Sequence, residues 1–275
     1  MAYTTIDDPS AYFQTALWTG NASARSIILD GNSDMQPDWV WIKRRNSARN
    51  HALLDSVRGG SKQLISNLNN AEGTDAQLIT SFDSDGFSLG TSSDCNSSSD
   101  TFVGWCWKAS GSTASNTDGS ITSTVSVNTT SGFSIVKYDG TRPSASTVGH
   151  SLGATPSVIW FKSLNAAQGW RCWFGNGGFD NQSFLTLNST GAKDTGQSNI
   201  MNNTAPTSTV FTVGDDADSQ NTNMIAYCFT DIKGFSKSGS YTGNGSTDGT
   251  FVYTGFKPAW IMGKRTDSAN NWYMF

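Results

Sequence analysis

The sequence predicts an all-β fold, organised as tandem antiparallel β-sandwich modules of roughly 100 residues each. Two observations carry this. First, Ser, Thr, Asn and Gly supply 120 of the 275 residues, and only 15% are charged. That is turn and strand-edge chemistry rather than the charged faces of helices. Ten Trp and fifteen Phe also provide far more ring surface than a disordered chain carries. Second, the chain repeats itself, and a repeat decides architecture before any single motif does.

Each repeat opens on a short strand and then reaches a proline. The openings are Leu17-Trp18-Thr19-Gly20-Asn21, Lys137-Tyr138-Asp139-Gly140-Thr141 and Ser240-Tyr241-Thr242-Gly243-Asn244. The prolines are Pro37, Pro156 and Pro258, each followed by an apolar run and, six residues on, by Lys43, Lys162 and Lys264. Proline can start a strand but not sit inside a central one, and a near-continuous apolar run suits a strand covered on both faces. Fourteen residues after the prolines come His51, Trp170 and Trp272, each opening a second strand. The connecting stretches 44–50, 163–169 and 265–271 are equal in length and rich in Asn, Ser, Asp and Gly, which predicts hairpins. The basic residues Lys43, Arg44, Arg45 and Arg49 fall at the first hairpin tip.

Two repeats continue into a second half. Gly86-Phe87-Ser88-Leu89-Gly90 matches Val210-Phe211-Thr212-Val213-Gly214, and Thr101-Phe102-Val103-Gly104-Trp105-Cys106-Trp107 matches Asn223-Met224-Ile225-Ala226-Tyr227-Cys228-Phe229. The organisation expected is an extended N-terminal segment at 1–12, module one at 13–108 and a linker at 109–132 carrying an exposed strand at 121–127. Module two follows at 133–234, then the first half of a module three at 235–275. A half-sandwich leaves an apolar sheet face bare, so either further chain or a partner is expected to cover it.

Composition also narrows function. A net charge of -4 without a basic stripe argues against nucleic acid. No apolar run approaches the ~18 residues of a membrane-spanning helix, and the first residues lack a signal-peptide pattern. Four cysteines without a CxxC pair make neither a disulfide framework nor a zinc site, and Cys106 and Cys228 read as small apolar residues in strands.

Gly86-Phe87-Ser88-Leu89-Gly90 fits the G-x-S-x-G pattern of a hydrolase nucleophile, but it sits in an alternating strand and its counterpart keeps only Thr212. The two histidines, His51 and His150, offer no triad. The chain holds 21 Asp and the single glutamate Glu72, which excludes a two-glutamate glycosidase site. No catalytic residue and no cofactor are expected. Asp83, Asp85, Asp215, Asp216 and Asp218 are candidate calcium ligands in oxygen-rich loops, competing with ordinary Asx turns. Residues 243–249 lack a phosphate-binding lysine and read as a hairpin turn. The ten tryptophans all lie in framework runs and are expected in the core. Recognition is expected in the loops that differ between modules: 22–34, 91–100, 142–153, 175–182 and 215–222.

The phrases Asp118-Gly119-Ser120-Ile121-Thr122-Ser123-Thr124-Val125, Gly239-Ser240-Tyr241-Thr242-Gly243-Asn244-Gly245 and Thr254-Gly255-Phe256-Lys257-Pro258, with the Pro…Lys strands and Trp105-Cys106-Trp107, carry a resemblance. Together they resemble a repetitive family of structural proteins from marine bacteriophages, including cyanophages, that is lectin-like or concanavalin A-like. The resemblance implies a jelly-roll sandwich and a virion surface protein made in the host cytoplasm. Its implied role is a tail fibre or adhesin contacting host-surface polysaccharide. The implied partners are other virion proteins and a host-surface glycan, in a homo-oligomer such as a trimer, without nucleic acid or membrane insertion. Capsid decoration and a polysaccharide depolymerase on the same fold are the alternatives. Residues 1–9 are expected to dock onto another virion protein.

Overall fold

The computed structural model describes residues 4–140 and 145–275. Residues 1–3 of the N-terminal segment, Thr141 of the second repeat opening and the start of the 142–153 loop lie outside the described residues. The fold is all-β, with one short helix, Ser93–Asn96, and two single 3-10 turns among the described residues.

In the first unit a six-stranded antiparallel sheet runs, in spatial order, Phe13–Thr19, Thr101–Trp107, Trp39–Arg44, His51–Asp55, Lys62–Ile65, Gly73–Thr74. The closing strand Thr101–Trp107 thus slots between the opening strand and the hairpin, pairing Phe13 and Trp39 with Trp107 on its two sides. A three-stranded sheet of Arg25–Ile28, Gly86–Leu89 and Ile79–Asp83 covers one face. Alternation fills the space between: Trp18, Val40, Ile42, Leu54, Phe102 and Cys106 from one sheet meet Ile27, Phe87 and Leu89 from the other. That is a β-sandwich.

The second unit repeats the plan. Met224–Phe229 lies between Phe133–Tyr138 and Val158–Ser163, and the hairpin partner is Arg171–Phe174. The two-stranded pair Ser146–Gly149 and Val210–Val213 supplies the cover, with Phe211 5.5 Å from Phe161 and 5.9 Å from Tyr138. The stretch read as a linker instead extends this sheet. Ala114–Asn116 pairs with Ser123–Asn128, which pairs with Phe133–Tyr138. The expected exposed strand is half buried, with Ser123, Val125 and Ser126 inside. Its serines hid this, because Ser123 buries a hydroxyl by donating to the Gly149 carbonyl.

Residues 4–12 of the N-terminal segment are tied down rather than extended. Ile6 is buried, and Asp8 caps the 3-10 turn Pro9–Ala11 while accepting from the Ser33 hydroxyl.

The other face of each hairpin sheet explains why these strands read as apolar throughout. Trp39, Trp41, Leu53, Leu64 and Trp107 of unit one join Phe133, Trp160, Trp170 and Tyr227 of unit two in one continuous core. The Trp39 ring lies 4.6 Å from Trp107, 4.7 Å from Tyr227 and 5.9 Å from Trp160. The units are therefore layered, three strands on six, six on seven, seven on two. The third unit contributes the hairpin Met262–Lys264 and Trp272–Met274, with Trp260 edge-on to Trp107 at 5.2 Å.

Candidate functional site

The lysine six residues past each proline staples its hairpin loop. An ammonium has three donors, and each lysine spends them on loop carbonyls. Lys43 Nζ donates to Arg44 and Ser47, Lys162 Nζ to Asn69, Ser163 and Gln168, and Lys264 Nζ to Thr190 and Arg265. Lys162 is wholly buried, and that burial pushes its pKa down to about 8, against the pull of Asp218.

Asn69 and Thr190 belong to the unit before, and two further contacts recur at the same junctions. Trp170 Nε1 donates to the Ile65 carbonyl at 3.0 Å and Trp272 Nε1 to that of Thr186 at 3.2 Å. The backbone amides of Glu72 and Lys193 donate to the carbonyls of Leu164 and Thr266, both at 2.8 Å. Each hairpin thus docks on the segment that follows the preceding hairpin. Among the described residues no earlier hairpin packs on the first unit, and there His51 stands at the tryptophan position. Its Nδ1 accepts the Trp41 indole N–H at 2.9 Å, and its backbone N–H donates to Asn67 Oδ1 at 3.0 Å. Asn188 serves Trp170 in the same way, at 2.9 Å.

An Nδ1 that accepts requires a neutral ring protonated on Nε2. Burial, with the charge of Lys43, holds the His51 pKa down at about 4. In the unfolded chain it titrates near 6.5, so between these values the unfolded state takes up the proton and the folded state does not. Stability is expected to fall by about 3 kcal/mol as pH drops from 6.5 to 4. His51→Gln should flatten that part of the profile in paired denaturation curves; identical slopes for both proteins would refute the assignment.

Where the hairpins meet, a cleft of about 400 Å³ opens. Trp41 and His51 of unit one, residues 187–190 of unit two and residues 271–274 of unit three line it, with Ser66, Asn67 and Met262. None of the lining residues carries a carboxylate, ammonium or guanidinium. Trp272 is half buried. Asn271 and Thr190 are exposed, and among the described residues their side chains hydrogen-bond to no other protein group, leaving an amide and a hydroxyl for a ligand. This arrangement can bind a neutral, hydroxyl-rich molecule: apolar ring against apolar face, amides and hydroxyls around the edge.

Apart from His51 and the framework tryptophans, the residues singled out in the sequence lie elsewhere. Ser88 donates to Asp83 Oδ2 and pairs with Ser26, and Gly86 is there because a Cβ would strike the Ile27 carbonyl. His150 is buried, with its ring nitrogens against the Thr207 carbonyl and the Leu152 amide. Asp83 accepts from Ser81 as well as Ser88, and Asp85 faces the Met35 amide. Asp216 accepts from Asn199 and from the Asp218 amide, while Asp218 pairs with Arg171 Nε at 2.6 Å. Asp215, one residue before Asp216 in the same loop, is exposed. No group of three or more His, Cys, Asp or Glu converges among the described residues. Glu72 pairs with Arg58 and Lys62. Arg44 is buried against Asp100 and Phe102, whereas Arg45 and Arg49 stay on the exposed tip. All four cysteines are free and buried.

The cleft is built of hairpin residues and the segments 66–67 and 187–190, not of the variable loops where recognition was expected. The signal that marks it in the sequence is His51, the one departure from tryptophan at the matched offset. No curated protein and no solved structure matches the chain. Residues 8–275 match the family described as a domain of unknown function, DUF7483, and the chain belongs to it.

Proposed function

We propose that this protein is a non-enzymatic virion surface protein of a bacteriophage, a tail-fibre or adhesin component that binds neutral stretches of host-surface polysaccharide in the cleft between its units. The observation that supports the ligand is the cleft itself: lined without charged side chains, walled in part by rings and fringed with exposed amide and hydroxyl groups. The resemblance to phage structural proteins supports the location. Low charge and abundant neutral hydrogen-bonding side chains fit a surface that works among sugars.

An array of neutral and charged oligosaccharides tests this. Neutral sugars should bind and acidic ones should not, and no reducing ends should be released on prolonged incubation. Trp272→Ala and Asn271→Ala should each weaken binding by about ten-fold, the loss of one stacking face or one good hydrogen-bonding group. Binding confined to acidic sugars, or release of reducing ends, would overturn the reading.

A further inference from the structure

Fourteen residues past each proline the chain carries a ring with an N–H, and in two units that N–H is spent on a peptide carbonyl. Trp170 Nε1 donates to Ile65 and Trp272 Nε1 to Thr186. Each of these carbonyls stands immediately before a segment that lines the cleft, Ser66-Asn67 or residues 187–190. At the matched position of the first unit, His51 is engaged through its other nitrogen. Nδ1 accepts from Trp41 Nε1, so the ring hydrogen is on Nε2. The bond from the His51 backbone N–H to Asn67 Oδ1 holds the main chain in place.

Among the described residues no protein group accepts from His51 Nε2, and this nitrogen is not one of the polar atoms sealed from water without a partner. His51 is half buried and lines the cleft, so its unspent N–H opens there. In this tautomer Nε2 donates and cannot accept, and a ligand has to bring an acceptor to it. Two further kinds of contact surround it. Thr190 and Asn271 are exposed and carry groups that accept as well as donate. Leu187, Met262 and Met274 give the cleft an apolar wall, the two methionines lying opposite each other in the last hairpin. Thioether and methyl surfaces pack well against each other.

We infer that His51 Nε2–H receives the carbonyl oxygen of an acetamido group, so that the polysaccharide bound in the cleft is one containing neutral N-acetylated amino sugars. This rests on the cleft being the glycan site. An acetamido group supplies every complement at once: a carbonyl for His51, an N–H for Thr190 or Asn271, and a methyl for the apolar wall. A hydroxyl in its place leaves that wall uncovered. The carbonyl is also the acceptor that the matched indoles take in the other units.

The test titrates the whole chain with two β-linked tetramers identical but for the acetamido group, one of N-acetylglucosamine and one of glucose, and with the N-acetylgalactosamine and galactose pair. The acetylated members should bind with dissociation constants on the order of 0.1–1 mM, at least about ten-fold tighter than their partners. His51→Phe, which keeps a ring without the N–H, should bring that ratio towards one. His51→Gln, whose amide can both accept from Trp41 and donate to the ligand, should keep most of it. The wild-type chain gives an independent reading through nitrogen-15 histidine labelling, since His51 and the buried His150 are its only histidines. The His51 Nε2–H signal should shift with the acetylated tetramer while His150 stays still. Equal affinities within each pair, an unmoved His51 signal or a ratio untouched by His51→Phe would overturn the inference and leave the neutral-glycan reading standing. Failure of every acetylated sugar to bind at ~10 mM, far above the expected range, would overturn it too, and the wider array then decides the parent reading. Tighter binding of an uncharged acetylated peptide amide would assign the cleft to a polypeptide and overturn both.

Discussion

Arg58→Ala is expected to cost about 3–5 kcal/mol of stability, because it strands a carboxylate in the core. Arg58 and Asp55 are both essentially inaccessible to water, and their pair measures 2.6 Å between Nε and Oδ2. The guanidinium also reaches Glu72 at 3.1 Å and the carbonyls of Leu53 and Lys62. From the second unit, the Tyr227 hydroxyl donates to Asp55 Oδ2 at 2.7 Å. Burial alone would lower the Arg58 pKa, but the Asp55 charge, with Tyr227 and Glu72, reverses this and raises it. Burial likewise raises Tyr227 well above its ordinary value. The cluster is fully paired, so removing one member is expensive while replacing the whole pair is not. Urea titration followed by tryptophan fluorescence should show the loss for Arg58→Ala, and Arg58→Met with Asp55→Leu should recover most of it. A loss below about 1 kcal/mol, the range of an exposed pair, would show that water reaches the cluster.

Trp39→Ala should have a comparable effect, about 3–5 kcal/mol, for a different reason. This ring is fully buried and touches Trp41, Trp107, Phe133, Trp160, Tyr227 and Phe229, so its removal opens a cavity where the two units meet. The loss falls on the shared core rather than on either sandwich. Thermal unfolding should therefore split into two transitions, one per unit. Leu17, 62% exposed in the opening strand, is the control: Leu17→Ala should change stability by no more than about 0.5 kcal/mol. A single sharp transition for Trp39→Ala would mean that the units unfold as one body without this ring.

Both effects concern a contact between units, and that is where the sequence was least legible. The strands themselves could be read, because Pro37, Pro156 and Pro258 start them and the lysines end them at fixed offsets. The apolar residues on both faces of Trp39–Arg44 called for two covering layers. They could not say that one layer is the neighbouring unit, because Trp39 and Val40 look equally apolar whichever partner they meet. The strands in 109–132 were harder still. Ser123 and Ser126 are buried by hydrogen bonding and not by hydrophobicity, so a low-complexity stretch conceals a sheet edge.

The site followed the same logic. Variation between modules pointed to loops, but several of those loops spend their polar groups internally. Asn96 donates to Ser23 and Gly90, and Asp218 holds Arg171. The cleft instead arises because equal hairpins pack at unequal neighbours. Trp170 is sealed against Ile65, whereas among the described residues His51 bonds within its own unit, to Trp41 and Asn67. A single substitution in a repeat was the visible trace of that asymmetry.

The claim that the cleft, and not the loops, holds the ligand is tested most directly by hydrogen exchange with and without the best-binding neutral oligosaccharide. The cleft account predicts slowed exchange at residues 187–190 and 271–274. Loops 22–34, 91–100, 175–182 and 215–222 should stay unchanged. Protection confined to those loops, with the cleft segments exchanging as before, would contradict it.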